Sequence, residues 1–217
     1  MDFAPSPIPA TEPPHDCPRC PRLVAFREEL RAEHPDWWNA PVPAFGDPKG
    51  WLCIVGLAPG KQGANRTGRP FTGDWAGDLL YATLLKLGLA KGVYEERADD
   101  TLELVDCRIV NSVRCVPPQN KPEPSEIATC RQFLISELEA MPKLNLILAL
   151  GKIAHDSVLK TYAKKISGHP FKHGGVYDLG PVKLISSYHC SRYNTNTGVL
   201  TTQMFETVVG QAKDLAG

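Results

Sequence analysis

The chain has no excess of charge of either sign. Its 217 residues include 24 Lys and Arg residues and 24 Asp and Glu residues. A strongly basic protein attracts nucleic acid through its overall field, so any nucleic-acid binding here must depend on a local patch. The chain also has no run of about 18 apolar residues, which argues against a transmembrane helix.

The N-terminal segment has neither the basic region nor the apolar region of a secretory signal. Five of its first 14 residues are proline, a composition that favours an extended or disordered segment. We therefore expect a disordered Pro-rich tail over residues 1–14 and a single domain over 15–217. A soluble, cytoplasmic protein is expected, and because no heptad pattern is present we expect a monomer.

Two common phosphate-binding motifs are also missing. Gly60-Lys61 lies at the wrong spacing from Gly56 for a Walker A loop, and no compact G-x-G-x-x-G pattern occurs. The chain has instead a 19-residue loop over 56–74, GLAPGKQGANRTGRPFTGD, after the apolar run WLCIV. Such a run is typical of a buried strand in a parallel sheet. A loop of this length at a strand end predicts a ligand site, although glycine and proline also mark purely structural loops.

Apolar runs alternate with helical patterns along the rest of the chain. Three more strands are predicted, at 107–113, 144–151 and 182–189. Helices are predicted to begin after Cys20, after Asp74 and near Ser125. A further helix is predicted to follow the strand at 144–151 and to end near Ala163, and the last helix to run from about Leu200 to Ala212. This alternation predicts an α/β fold with a parallel sheet covered by helices on both faces.

Polar residues follow three of these strands. The Gly-rich loop follows the first strand, Asn111 ends the second, and His189 ends the fourth. Because parallel strands point the same way, these residues should meet at one sheet edge. Asn111 could also be a turn former and His189 an ordinary surface imidazole. Phe71, within the loop, adds a stacking face, and the combination suits a flat, polar ring such as a nucleobase.

The cysteine pattern points to a metal centre. Seven cysteines are an odd number and fit poorly with a secreted disulfide framework. The candidate ligands are Cys17, Cys20, Cys115 and Cys130. One tight pair with two distant single cysteines fits a 4Fe–4S cluster at least as well as zinc, and four unrelated thiols are a third possibility. The remaining three, Cys53, Cys107 and Cys190, are predicted to be core thiols.

Together these motifs resemble those of uracil-DNA glycosylases, and within them family 5 of the iron–sulfur branch. GLAPG with GANRTGRPFTGD resembles the first family motif, NSVRC the second and HCSRYNTNTG the third, and the four candidate cysteines occupy the places of the cluster ligands. One departure is Cys190, which stands where the third motif ordinarily has proline. The resemblance implies a three-layer α/β/α sandwich with a central four-stranded parallel sheet. It also implies removal of uracil, and often of other deaminated bases such as hypoxanthine and xanthine, from DNA.

The resemblance and the side-chain chemistry assign roles around an extruded base. Phe71 is expected to stack on the base, and Asn111 to bond its Watson–Crick edge, since an amide both donates and accepts. His189 is expected to donate a hydrogen bond to a base carbonyl as negative charge develops there. Backbone amides from Ala58 to Gly60 are expected to assist.

The attacking water and the DNA strand need further residues. Asp74 is the candidate for holding the water, because Leu57-Ala58-Pro59 offers no carboxylate, but helix capping explains Asp74 equally well. The expected DNA contacts are Lys61, Arg66, Arg69, Ser191, Arg192, Tyr193 and Asn194. A different class of function also remains open: an α/β module with a cysteine-bound metal that binds nucleotides or nucleic acid without catalysis.

Overall fold

The structure, a computed structural model, describes residues 11–216. The predicted disordered tail over 1–14 therefore lies largely outside the described residues. Of its described part, Glu12 accepts a hydrogen bond from the Ala44 N–H at 2.8 Å and lies 3.0 Å from the Arg114 guanidinium. Among the described helices, none combines the length and the apolar character needed to cross a bilayer.

The described chain contains eight short strands. They are β1 (Phe45–Gly46), β2 (Leu52–Gly56), β3 (Ala90–Lys91), β4 (Glu103–Leu104), β5 (Cys107–Asn111), β6 (Leu146–Leu150), β7 (Val176–Asp178) and β8 (Lys183–Ser187). Six of them form one sheet in the order β1-β5-β2-β6-β8-β7. The inner four are parallel, whereas β1 and β7 pair antiparallel at the edges. The predicted four-stranded parallel sheet is confirmed, and two edge strands too short to give a sequence pattern extend it.

Seven α-helices lie within residues 11–216. They are α1 (Pro21–Glu33), α2 (Ala64–Thr67), α3 (Trp75–Lys86), α4 (Pro124–Glu139), α5 (Lys152–Thr161), α6 (Arg192–Asn196) and α7 (Thr202–Ala216). Side chains of α3 and α7 pack in one apolar core and those of α4 and α5 in another. Each core lies against one face of the sheet, so the three-layer α/β/α arrangement is confirmed.

The central strands explain why the sheet is buried on both faces. In β2, Leu52 and Ile54 belong to one core, while Cys53 and Val55 belong to the other, and all four are fully buried. A strand covered on both sides needs apolar residues at every position, which is the continuous run seen in the sequence. Cys53 is therefore a core thiol, as predicted, and so are Cys107 and Cys190.

Candidate active site

A cavity of about 280 Å³ opens at the carboxyl ends of β2, β5 and β8. Its lining consists of Leu57, Ala58, Pro59, Gly60, Ala64, Phe71, Asp74, Trp75, Ala76, Asn111, Asn120, His189, Ser191 and Arg192. β2 and β5 pair in register with Gly56 opposite Asn111, so both strands end at the same level. The predicted meeting of the Gly-rich loop, Asn111 and His189 at one sheet edge is confirmed.

Phe71 forms one wall of the cavity in a constrained backbone conformation. Its φ is +53°, its side chain is buried, and its ring lies 6.0 Å from the His189 ring at an interplanar angle of 28°. A left-handed conformation costs a non-glycine residue of the order of 1–3 kcal/mol, and surrounding structure must maintain it. Part of that support is the Tyr94 hydroxyl, which donates to the Phe71 carbonyl at 3.3 Å and accepts from the Gly73 N–H at 3.2 Å.

Asn111 lines the cavity and carries a buried acceptor without a partner among the described residues. It is the last residue of β5 and is 3% exposed, and its Oδ1 has no hydrogen-bond partner in the described part of the chain. Gly56 makes room for it, because a Cβ at that position would lie 2.3 Å from Asn111 Oδ1 and 2.8 Å from Phe71 Cζ. A buried acceptor without a donor costs about 1–3 kcal/mol. Asn111 is therefore suited to bind a ligand that brings an N–H group.

His189 lies at the third strand end and is uncharged near neutral pH. Burial lowers the pKa of His189 to about 4, so the ring is a neutral imidazole with one N–H donor. The loop that carries it is held by α6, where the Asn194 side-chain amide donates to the His189 carbonyl at 2.8 Å. Asn194, predicted to contact DNA, thus uses its amide N–H to position His189.

The depressed pKa of His189 predicts a pH-dependent stability. An exposed histidine has a pKa of about 6.5, so between about pH 6.5 and pH 4 the unfolded chain binds the proton that the folded chain excludes. The contribution of His189 is therefore complete above about pH 6.5 and is lost as the pH falls toward 4. We expect the melting temperature to fall more between pH 7 and pH 4.5 for the wild-type protein than for His189→Gln. Equal falls in the two proteins would contradict the assignment, since all other titrating groups are shared.

Asp74 is both a helix cap and a cavity carboxylate. Its Oδ1 accepts from the Ala76 and Gly77 N–H groups at 3.1 and 3.3 Å, which caps α3. Its Oδ2 accepts no hydrogen bond from the described residues and lies against Gly63, where a Cβ would stand 2.2 Å from it. Burial raises the pKa of the Asp74 carboxyl. The sequence suggested a helix cap or a carboxylate that holds water. Oδ1 is the capping oxygen, and Oδ2 is the oxygen that is left for the second role.

Arg69 is not available to DNA, so the prediction that it contacts phosphate is wrong. It is 4% exposed, and its guanidinium makes a bidentate ion pair with Asp100 at 2.7 and 2.8 Å. The guanidinium also lies over the Phe45 and Tyr81 rings, 5.0 and 5.6 Å from their centroids. Arg69 therefore supports the 56–74 loop from the protein side, through a partner 31 residues away in the sequence.

The other predicted DNA contacts lie near the cavity mouth or on the loop surface. Arg66 and Arg192 are exposed, and Tyr193 is 74% exposed. The Lys61 ammonium lies 3.2 Å from Glu33 at the surface. Ser191 caps α6 by accepting from the Asn194 N–H at 3.4 Å. Arg66, Arg192 and Tyr193 are thus open to solvent and their contact with DNA stays a prediction, while Ser191 caps the helix of the loop.

Among the polar and aromatic residues of the cavity lining, Asn120 and Trp75 have no role in the sequence-based assignment. Asn120 lies in the Pro-rich loop after β5, and both it and Gln119 have left-handed backbone conformations, with φ of +56° and +55°. Trp75 begins α3 and is 47% exposed. The PPQN stretch indicates a turn, since proline and asparagine are typical of turns, but nothing in it marks Asn120 as part of a cavity. For Trp75 the sequence offered no signal, because its contacts come from α6.

The four candidate ligand cysteines come together beside α1. Cys17, Cys20, Cys115 and Cys130 line one enclosed cavity, and the Arg114 N–H donates to Cys130 Sγ at 3.4 Å. Within residues 11–216, however, no group of three or more His, Cys, Asp or Glu side chains is arranged to hold a metal ion. The sequence thus correctly predicted which thiols lie together, and the metal itself stays a prediction.

A buried ion-pair network flanks the segment that carries Asn111, between β5 and the cysteine cavity. Arg114, between Asn111 and Cys115, is 1% exposed and lies 3.4 Å from the carboxylate of Glu137, which is 2% exposed. Glu137 also pairs with Arg108 on β5. Because the network holds both ends of the segment that carries Asn111, it fixes the strand end and the cysteine loop together.

Comparison with known proteins identifies the class. Residues 43–213 match the family model described as the uracil DNA glycosylase superfamily, and the chain belongs to that superfamily. The type-5 uracil-DNA glycosylase of Thermus thermophilus is 46% identical to this chain, over 93% of this chain and 94% of that protein. The type-5 uracil-DNA glycosylase of Pyrobaculum aerophilum is 39% identical, over 93% and 90%. The type-4 uracil-DNA glycosylase of Archaeoglobus fulgidus is 31% identical, over 68% and 69%. The greater extent of the type-5 matches confirms the resemblance to family 5 drawn from the motifs.

Proposed function

We propose that this chain hydrolyses the N-glycosidic bond of uracil in DNA and leaves an abasic site. The observation that carries the proposal is the shared cavity lined by the Phe71 ring, by Asn111 with its unpaired Oδ1 and by the neutral His189 ring. The aromatic ring can stack on the face of uracil, and the unpaired acceptor can bind the imide N–H of uracil. The neutral donor can bind one of the carbonyl groups of uracil. Family membership supports the same activity.

Base recognition requires the nucleotide to leave the helix, at a cost of a few kcal/mol. The extruded ring would stack on Phe71, and its imide N–H would donate to Asn111 Oδ1. That hydrogen bond would satisfy the acceptor which the protein leaves unpaired. Part of the cost of extrusion is thereby offset, because the stacking and the hydrogen bond lost in the duplex are replaced in the cavity.

Bond cleavage places negative charge on the base and positive charge on the sugar. The electron pair of the glycosidic bond goes to the base, and the His189 N–H would donate to the carbonyl oxygen on which that charge develops. One preorganised donor of this kind contributes roughly 3–4 kcal/mol. Ala58 and Gly60 line the same cavity, and their backbone N–H groups would supply further donors.

Water must then add to the sugar cation, and the proton that it loses would pass to the Asp74 carboxylate. We assign the holding of this water to Asp74 Oδ2, the carboxylate oxygen that does not cap α3. Asp74→Asn keeps a good N-cap and removes the negative charge, whereas Asp74→Ala removes both. We expect Asp74→Asn to lower the single-turnover rate about 10- to 100-fold at nearly unchanged stability, and Asp74→Ala to lose a further ~1 kcal/mol of stability. A normal rate in Asp74→Asn would leave Asp74 as a helix cap alone.

We also propose that the enzyme accepts deaminated purines, hypoxanthine and xanthine. The segment Leu57-Ala58-Pro59 brings no carboxylate to the cavity, so fewer groups select among bases. Oligonucleotides that contain uracil, hypoxanthine, xanthine or hydroxymethyluracil, compared side by side, test this range. Excision of uracil alone would refute it.

We propose that the cysteine cavity holds a 4Fe–4S cluster rather than zinc. Thiolates around one zinc ion, each about 2.3 Å from the metal, lie within roughly 4 Å of one another. In a four-iron cluster each thiolate binds a different iron, so the ligands lie farther apart. Four cysteines that line one cavity without forming a site for a single ion favour the second arrangement. The cluster would be a structural brace between the N-terminal segment and the loop after Asn111.

Metal analysis of protein purified without oxygen tests the cluster. We expect a brown protein that contains iron, and loss of iron together with a lower melting temperature in Cys115→Ser. A colourless protein loaded with zinc would overturn the assignment. Cys107→Ser is a matched control, because Cys107 is a buried core thiol outside this cavity.

A cleavage assay separates the enzyme from the non-catalytic binding module. The protein is incubated with a uracil-containing oligonucleotide, and alkali then breaks the strand at any abasic site. Scission at the uracil supports the glycosylase, and binding without scission under varied conditions supports the module. As part of the same proposal, the protein acts as a monomer on cellular DNA, which size-exclusion chromatography on and off DNA checks.

A further inference from the structure

An exposed tryptophan and an arginine form a patch at the mouth of the cavity. Trp75 is 47% exposed, and the Arg192 guanidinium lies 5.7 Å from the centroid of its ring. Both residues line the cavity, yet neither has a part in the chemistry of base release. An exposed aromatic ring beside a cation at the mouth of a ligand cavity offers a flat, electron-rich face to a ring-shaped ligand.

The indole is held in place rather than free to turn. Its Nε1–H donates to Thr195 Oγ1 at 2.8 Å, a contact that joins α3 to α6 across 120 residues of sequence. α6 also holds the His189 loop, through the hydrogen bond from Asn194 to the His189 carbonyl. The ring is therefore fixed relative to His189 while about half of its surface stays open to solvent.

We propose that Trp75 and Arg192 form a stacking platform for the base next to the extruded nucleotide. This inference rests on the proposed function, because extrusion leaves the neighbouring base with one uncovered face at the cavity mouth. A fixed aromatic ring can cover that face whatever the base, since every base has a π-face, and the guanidinium adds attraction to the strand. The platform would thus stabilise the opened strand without reading its sequence.

The test compares the loss of the tryptophan with the loss of the neighbouring base. The probes are single-stranded oligonucleotides with one 2′-fluoro-2′-deoxyuridine, which resists cleavage, and an abasic spacer on its 5′ side, on its 3′ side or on neither. We expect Trp75→Ala to bind the unspaced probe about 5- to 150-fold more weakly, which corresponds to the 1–3 kcal/mol of one stacked base. An abasic spacer on one of the two sides should weaken wild-type binding by a similar factor of about 5- to 150-fold. The same spacer should weaken binding by Trp75→Ala less than about twofold.

The platform would be overturned if the losses of affinity from Trp75→Ala and from the spacer were additive. It would also be overturned if Trp75→Ala bound the unspaced probe as tightly as the wild type does. Thr195→Val removes the indole hydrogen bond but keeps the ring, and it should retain the dependence on the spacer. If Thr195→Val instead reproduced the full loss and abolished that dependence, Trp75 would act only through α6 and the platform would be refuted. Trp51→Phe, at the amino end of β2, is the matched tryptophan control and should bind all probes as the wild type does.

Binding and cleavage are scored separately, so the two proposals can fail independently. Wild-type protein that binds the probes but never excises uracil would refute the glycosylase and leave the platform standing. Wild-type protein that excises uracil, with binding indifferent to Trp75 and to both spacers, would refute the platform alone. Melting temperatures of all variants confirm that each one is folded.

Discussion

His189→Ala is expected to lower the rate of uracil excision about 100- to 1000-fold, because the base loses its preorganised hydrogen-bond donor as negative charge develops. His189 faces Phe71 across the cavity, and its neutral ring can donate from one nitrogen only. Single-turnover kinetics on a uracil-containing oligonucleotide measure the chemical step without product release. A rate within threefold of the wild type would contradict the role of His189.

Binding measurements distinguish this catalytic loss from a loss of recognition. We expect His189→Ala to bind a cleavage-resistant uracil probe almost as well as the wild type, since the donor matters most when charge has formed. Asn111→Ala is the matched comparison, because it removes the acceptor for the ground-state base. Asn111→Ala should therefore weaken probe binding more than His189→Ala does, and the opposite order would exchange the two roles.

Arg114→Met is expected to be the most destabilising single change considered for this fold. Glu137 is 2% exposed and loses one of its two positive partners when the guanidinium is removed, and Glu12 loses a guanidinium 3.0 Å away. Breaking a buried ion pair from one side costs about 3–5 kcal/mol when the remaining charge has no partner. Because Arg108 stays beside Glu137, we expect about 3 kcal/mol, which lowers the melting temperature of a chain of this size by roughly 6–12 °C.

A surface ion pair provides the control for Arg114. Lys152 pairs with Asp156 one helical turn away on α5, and its side chain is 61% exposed. Exposed pairs of this kind contribute about 0–1 kcal/mol, so Lys152→Met should leave the melting temperature nearly unchanged. Similar shifts in both variants would show that the Arg114 network is not a special support of the site.

The sequence was informative where burial or function imposes a pattern on residues that are close together in the chain. The run of apolar residues in β2 indicated a strand buried on both faces, and Asn111 and His189 were recognisable as polar ends of such strands. The topology of parallel strands then required them to meet. The spacing of the cysteines and the family resemblance grouped the four that line one cavity.

Other assignments depended on partners far away in the chain. Arg66 and Arg69 are three residues apart in one loop, yet Arg66 is exposed and Arg69 is buried against Asp100. The hydrogen bond between Trp75 and Thr195 spans 120 residues, and no local pattern marks either residue. Edge strands of two and three residues are likewise too short to show a periodicity.

Local patterns in this protein thus specified the strands, the loops and the residues that could take part in base removal. Tertiary contacts specified which of those residues face the cavity, which cap a helix and which support the loops from within. The physical reason is that burial and hydrogen bonding act on neighbours in space. The linear order shows only those neighbours that the regular geometry of a helix or strand brings together.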